Sequence, residues 1–450
     1  MQETGLILLA AVLLCSAALY NNFPLVYPDT GAYIVSGFKG IVLPDRPIMY
    51  GLFIRHSSMS FSLWFTIFMQ SIITAIMLFI VLKELFSSPR NFYFKYILVV
   101  LLLTAFTGIA WYSGQLMPDV FTPLLAICIA YFFFAKKLTV PGSLFVSLVF
   151  ILSASTHYSH FLLSLLVSFI FLLLAIIYRI RKKEFYIKYK RIAAVTGLSL
   201  LSWLYILTIN YTYDDDFRLS KGSHAFLMSH FIETGVMHEY LKEHCDDPEL
   251  KDCKMCFYKD SLEMCSGNFL WGYNSTLYKT GGWVNTRDEY NRIFLKMNSN
   301  PGYLIKNMYS SMRFGMSQLF MNRVGNGLGA YPGEQPPGPT IREFFLWEHN
   351  SYLLAAQNLN HLPPVVDTIS DCQNILLIGS VIMLLYYFMY AKNKNVQYRI
   401  GAFFLFFVIL NAFATAGINI PHERLQCRVV WLVIMFCIVL SIDKRHAIIS

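Results

Sequence analysis

Charge is what this chain has least of: Asp, Glu, Lys and Arg make up 14% of its 450 residues, against 56% hydrophobic. A soluble domain carries about 25% charged residues, so a deficit this large excludes an ordinary one. Also missing are a Gly-rich phosphate loop, a nucleophile elbow and the His-Glu-x-x-His signature of zinc proteases, with the mechanisms that depend on them. There is no internal repeat of the kind many transporters carry. The first apolar segment, Gly5 to Tyr20, lacks a basic start and a small-residue cleavage pattern, so a retained first helix is expected rather than a secretory signal.

What the chain has instead is long apolar text. Ten nearly uncharged runs start at Gly5, Met59, Tyr96, Val120, Ser143, Phe161, Ile192, Asn374, Ile400 and Val429. Several approach the length that crosses the hydrocarbon core as a helix. The expected fold is an all-α polytopic membrane protein with about ten transmembrane helices. It divides into an N-terminal transmembrane module (1–210) with a long first outside loop (21–58), an extracytoplasmic, mostly helical insert (211–371), and a C-terminal module (372–450).

Orientation follows from Lys and Arg, which cytoplasmic loops retain. With the N-terminus inside, the inside loops hold Lys83, Arg90, Lys95, Lys136, Lys137, Arg179, Arg181, Lys182, Lys183, Lys188, Lys190, Arg191, Lys392, Lys394, Arg399, Lys444 and Arg445. The short outside loops hold only Lys39, Arg46, Arg55, Arg424 and Arg428, so both termini are expected inside. The formal net charge of +9 is then mainly a topology signal, and no nucleic-acid partner is expected. The expected setting is a bacterial inner membrane.

In the insert, Cys245, Cys253, Cys256 and Cys265 form an even set in a short exported window, read first as two disulfides of open pairing. Zinc is the rival reading, from the spacing of "CKMC" beside His244. The stretch "HAFLMSHFIETGVMHEYLKEHC" has apolar residues at helical spacing and predicts one amphipathic helix. "GNGLGAYPGEQPPGPT" predicts a loop, mobile over a cavity.

With this orientation, nearly every polar residue of interest at a helix end lies outside. Asp29 follows Pro28 at the start of a short helix, where a carboxylate either caps the helix or serves as a general base or metal ligand. Asp45 and Arg46 pair with each other or with backbone, with a functional role as the alternative, Asp45 as a further acidic or metal candidate and Arg46 as a phosphate ligand. Asp119, after Pro118, is a second outside carboxylate at a costly depth, with capping as the alternative. His157 and His160, one helical turn apart, suit a proton shuttle or a metal ligand, or simply hydrogen-bond at the interface; His422 and Glu423 join them as candidates. Arg424 and Arg428 share a helix face and run against the positive-inside bias, so a phosphate is their expected partner, with lipid-headgroup snorkelling as the alternative.

The acidic residue just after the first helix in "PDTGAYI", a second acidic loop after the third span, the many helices and the large outside domain together resemble the C-type (GT-C) superfamily of membrane glycosyltransferases. Where many members carry paired acids in the first loop, this chain has Asp29 beside Thr30. The resemblance implies a sugar taken from a polyprenyl-phosphate carrier and passed, with inversion, to a lipid, glycan or protein acceptor on the outer face. It implies Asp29 as catalytic base, Arg424, Arg428 and Arg46 around the leaving phosphate, and a divalent metal (Mg or Mn) at Asp29 and Asp119 as an option. Other classes stay open: a transporter or flippase, a glycan polymerase or ligase on a lipid carrier, or a non-catalytic envelope assembly protein. A shared site requires Asp29, Asp119, Arg424 and Arg428 to lie within about 15 Å of one another, the span of one bound sugar phosphate.

Overall fold

A computed structural model describes residues 2–390 and 395–443; the expected inside charges Lys392, Lys394, Lys444 and Arg445 lie outside the described residues. Every described element is a helix, joined by turns and loops, with a single isolated bridge between Leu25 and Gln115. In hydrocarbon the backbone must satisfy its own hydrogen bonds, and a chain this apolar does so by coiling.

The elements used below are α1 (Gln2–Leu14), α2 (Pro28–Lys39), α3 (Met49–Ser57), α4 (Leu63–Leu85), α5 (Phe92–Phe106), α6 (Phe121–Phe134), α7 (Val140–Ser155), α8 (Tyr158–Ile180), α9 (Tyr189–Asp214), α10 (Ser223–Glu233), α11 (Val236–His244), α12 (Arg287–Ser299), α13 (Pro301–Leu319), α14 (Pro363–Tyr390), α15 (Val396–Ala416) and α16 (Glu423–Ile442). All ten apolar runs lie largely in helices, though the one from Met59 begins in a turn and the one from Tyr96 is broken after Phe106. Six of these, α4, α8, α9, α14, α15 and α16, are long and apolar enough to cross a membrane; α1, α5, α6 and α7 are shorter.

Their burial differs in a way that orders the bundle. In α16 78% of the apolar window is enclosed by protein, against 22% in α14, so α16 is central and α14 peripheral. Buried amides stitch the centre together. Gln70 of α4 donates to Ser113 O (2.6 Å) and Gln115 O (2.8 Å), and Asn411 of α15 donates to Leu425 O (2.7 Å) and Gln426 Oε1 (2.9 Å). Such bonds between helices replace the hydrophobic drive that lipid removes.

The long helices overrun the expected boundaries of the insert, because α9 continues to Asp214 and α14 already starts at Pro363. Between them, residues 225–303 build a core of their own from Met228, Phe231, Met237, Tyr240, Phe269, Tyr290 and Ile293. The amphipathic stretch forms two helices rather than one: Gly235, at φ 77°, breaks it between α10 and α11. Only Cys245 and Cys256 are bonded (Cα–Cα 5.5 Å); Cys253 and Cys265 are free thiols. The expectation of two disulfides is therefore corrected to one. Cys253 is buried against the Arg292 guanidinium, which donates to its Sγ at 3.1 Å.

Candidate functional site

The first long loop, between residues 21 and 58, folds back on itself because two glycines let helices touch. A Cβ on Gly37 of α2 would overlap the carbonyl of Gly51 in α3, so α2 and α3 cross backbone to backbone. This close crossing returns the 41–47 loop, with Asp45 and Arg46, to the start of α2. The same start is tied to the second acidic loop: Leu25 N–H donates to Gly114 O (2.9 Å), Leu116 N–H to Leu25 O (2.9 Å), and Thr30 Oγ1 to Leu116 O (3.1 Å). Asp29 and Asp119 are thereby brought to one place.

Asp29 is the second residue of α2, but it is not that helix's cap. Thr30 Oγ1, at the third position of the helix, accepts the Tyr27 N–H at 2.9 Å, while the Asp29 carboxylate faces cations. Arg46 Nη2 donates to it at 3.1 Å, and Arg424 Nη1 lies 3.8 Å away. Arg46 also clasps Asp45 through Nε (2.8 Å) and Nη2, and its guanidinium lies 4.9 Å from the Tyr33 ring centroid. The neighbouring Asp29 and Asp45 charges hold Arg46 firmly protonated despite its burial.

The opposite wall is the first two turns of α16. Arg424 sits between the acids, 3.8 Å from Asp29 and 3.7 Å from Asp119, with its guanidinium 4.2 Å from the Tyr27 ring centroid. Arg428, one turn on, donates from Nη1 to Asp119 Oδ1 at 2.9 Å. Arg428 and Asp119 have side chains 1% and 2% exposed, whereas Asp29 keeps 29%, so of these two carboxylates Asp29 is the one open to solvent. Three carboxylates thus meet three guanidiniums. The guanidiniums are not used up: Arg424 Nη1 and Arg428 Nε and Nη2 are buried N–H groups with no hydrogen-bond acceptor among the described residues. Buried donors without acceptors are costly, and beside this many cations an anion is a fitting acceptor for them.

The remaining candidates separate from this group. His157 caps α8, its Nδ1 accepting from Ser159 N–H (3.2 Å) and pairing with Ser159 Oγ (2.8 Å); burial, with Arg428 nearby, pulls its pKa down to about 3, so it is a neutral acceptor. His160 is fully buried, Nε2 on Thr122 Oγ1 and Nδ1 on Ser153 O (2.9 Å), so both ring nitrogens are already engaged and neither is available to a metal or a travelling proton. His422 is exposed and tied in through its backbone, which exchanges hydrogen bonds with Gln318 (2.7 and 2.8 Å). Glu423 opens α16, has no ion-pair partner among the described residues, and lies where the helix dipole favours a carboxylate.

Among the described residues no group of three or more His, Cys, Asp or Glu side chains is arranged to hold a metal ion, and Arg424 lies between Asp29 and Asp119. This donor set suits an anion better than a cation.

No protein-family model, curated protein or solved structure matches this chain.

The site has members that the sequence did not single out. Tyr27 and Tyr33 are the aromatic platforms under Arg424 and Arg46; Tyr27 lies two residues before Asp29, so its position was the only signal. Gln357 accepts from Val26 N–H (3.1 Å) and donates to Val26 O (2.8 Å) and Gly329 O (3.1 Å). It thereby fastens the glycine-rich segment to the first loop. That segment is seated rather than loose: Gly327, at φ 77°, lies so close that a Cβ there would overlap the Tyr27 ring, and Tyr331 Oη donates to Gly327 O (2.6 Å). Beside the site a cavity of about 790 Å³ is lined by Asp45, His157, Ser159, Arg218 and Arg287 together with apolar side chains such as Phe161, Trp203 and Phe217.

Proposed function

We propose that this chain is a membrane glycosyltransferase that takes a sugar from a polyprenyl-phosphate carrier and transfers it, with inversion, to a lipid, glycan or protein acceptor on the outer face of a bacterial inner membrane. The observation that carries this reading is the grouping of the part-exposed Asp29 carboxylate with Arg424 and Arg428, whose buried N–H groups lack acceptors. An anionic phosphate satisfies those donors. The adjoining cavity, whose lining is mostly apolar but includes Asp45, Arg218 and Arg287, suits a ligand that joins a charged headgroup to a hydrocarbon tail. The excess of Lys and Arg in the alternate set of loops supports placing Asp29 and the insert outside.

In this reading the acceptor hydroxyl oxygen attacks the anomeric carbon while the bond from that carbon to the phosphate oxygen breaks. Asp29 takes the hydroxyl proton, and the electron pair leaves with the polyprenyl phosphate. Arg424 and Arg428, held in place by Asp119, and Arg46, held by Asp45, stabilise the charge that grows on the departing phosphate. No step is routed through a metal.

The test is the lipid-linked glycan profile, by mass spectrometry, of cells carrying the wild-type chain, Asp29→Asn or no chain. At normal membrane abundance, Asp29→Asn is expected to match the deletion, with a polyprenyl-phosphate sugar accumulating in both. A wild-type profile for Asp29→Asn would end the base assignment, and an unchanged profile in the deletion would end the glycosyltransferase reading.

A further inference from the structure

A second basic cluster lies at the other end of the bundle. α6 leaves the Asp119 end at Phe121 and finishes at Phe134, about 20 Å away at 1.5 Å per residue. There a recess of about 180 Å³, room for about six water-sized groups, is lined by Phe133, Tyr186, Lys188, Arg191, Val396 and Arg399 among others. Its lining holds three cations and no carboxylate.

Each cation is placed differently. Arg191 is held rigidly, donating from Nη1 to Phe132 O (3.3 Å) and Phe133 O (3.0 Å) and from Nη2 to Ala135 O (2.8 Å), so it closes the carbonyl end of α6. Arg399 lies over the Tyr186 ring, 5.1 Å from its centroid. Neither Arg399 nor Lys188 has an ion-pair partner among the described residues, and Lys188 is exposed. The N-termini of α9 and α15, 26 and 21 residues long, both start at this recess and add their positive dipole ends. Gathering like charges without a counter-ion is unfavourable unless an anion is to enter.

We propose that this recess binds the phosphate of an anionic phospholipid headgroup, with Lys188 and Arg399 as its charged ligands and Arg191 as the fixed wall. A lipid rather than a dissolved phosphate is the occupant because α9, which starts here, turns apolar side chains outward. Leu200, Leu201 and Leu204 of α9 are about half exposed, so the acyl chains of a lipid whose headgroup enters the recess lie along a surface already suited to them. The site is independent of the glycosyl-transfer reading.

The full-length protein, purified and stripped of loosely held lipid, is titrated with phosphatidylglycerol or phosphatidylcholine and weighed intact by native mass spectrometry, alongside Lys188→Gln/Arg399→Gln. Arg191 is left in place because α6 depends on it. Wild type is expected to retain phosphatidylglycerol about tenfold better than phosphatidylcholine, and the double variant to lose most of that preference. Equal retention of the two lipids by wild type overturns the proposal whether or not the variant folds. So does an unaltered preference in a folded variant, and displacement of phosphatidylglycerol by millimolar inorganic phosphate overturns the lipid assignment in favour of a dissolved anion.

Discussion

Replacing Asp119 by Asn removes the counter-charge of a guanidinium that is 1% exposed and leaves the shape nearly unchanged. At 2.9 Å and an effective dielectric of about 20, the lost attraction is about 6 kcal/mol. Deleting one partner of a buried pair commonly costs about 3–5 kcal/mol once relaxation is allowed for, and that is the expected destabilisation. Arg424 is cushioned because it keeps Asp29 at 3.8 Å, so the cost falls on Arg428, which already has two N–H groups without acceptors. Thermal unfolding in detergent, followed through tryptophan fluorescence with Trp431 buried on α16, reads the change. Asp29→Asn, at a partly exposed pair, should cost under about 1 kcal/mol. Asp119→Asn/Arg428→Gln, with both charges gone, should recover most of the lost stability without recovering activity. Wild-type melting of Asp119→Asn, or an equal loss in Asp29→Asn, would refute this division of labour.

Cys245→Ser opens an 11-residue loop and should destabilise the insert by about 3 kcal/mol; peptide mapping without reduction should find Cys253 and Cys265 alkylated after unfolding, and a bridge between them would contradict the structure. Gly327→Ala forces a left-handed residue, at about 1–2 kcal/mol, and pushes Tyr27 from beneath Arg424; the glycan profile should shift towards that of the deletion at normal abundance. Burial, aided by Arg287, holds His224 at a pKa of about 4 against 6.5 when unfolded. The unfolded chain therefore binds more protons between those values, so the melting temperature should fall as pH drops from 6.5 to 4. His224→Gln, which can keep the bond to Thr286, should flatten that slope.

What could be read from the sequence was what is local. Arg424 and Arg428 share a face because four residues are about one helical turn, and Asp29 opens a helix because Pro28 precedes it. The apolar runs likewise coil where they stand. Partners far along the chain left no such trace. Nothing near Asp119 indicates Arg428, nothing near Val26 indicates Gln357, and His160 looked available because Thr122 and Ser153, which occupy it, belong to other helices. The cysteine pairing was open for the same reason: spacing limits the choices, and the path of the chain makes one. The break at Gly235 was hidden by apolar positions that stay in phase across it.

The separation of Asp119 from Arg428 also has a bearing on synthesis. The two are 309 positions apart, so at roughly 5–20 residues per second the carboxylate waits about 15–60 s for its counter-charge. During that interval its surroundings must stay wet or it must carry a proton, and the central slot for α16 stays unfilled. The burial of this ion pair is therefore available only to chains translated through Arg428.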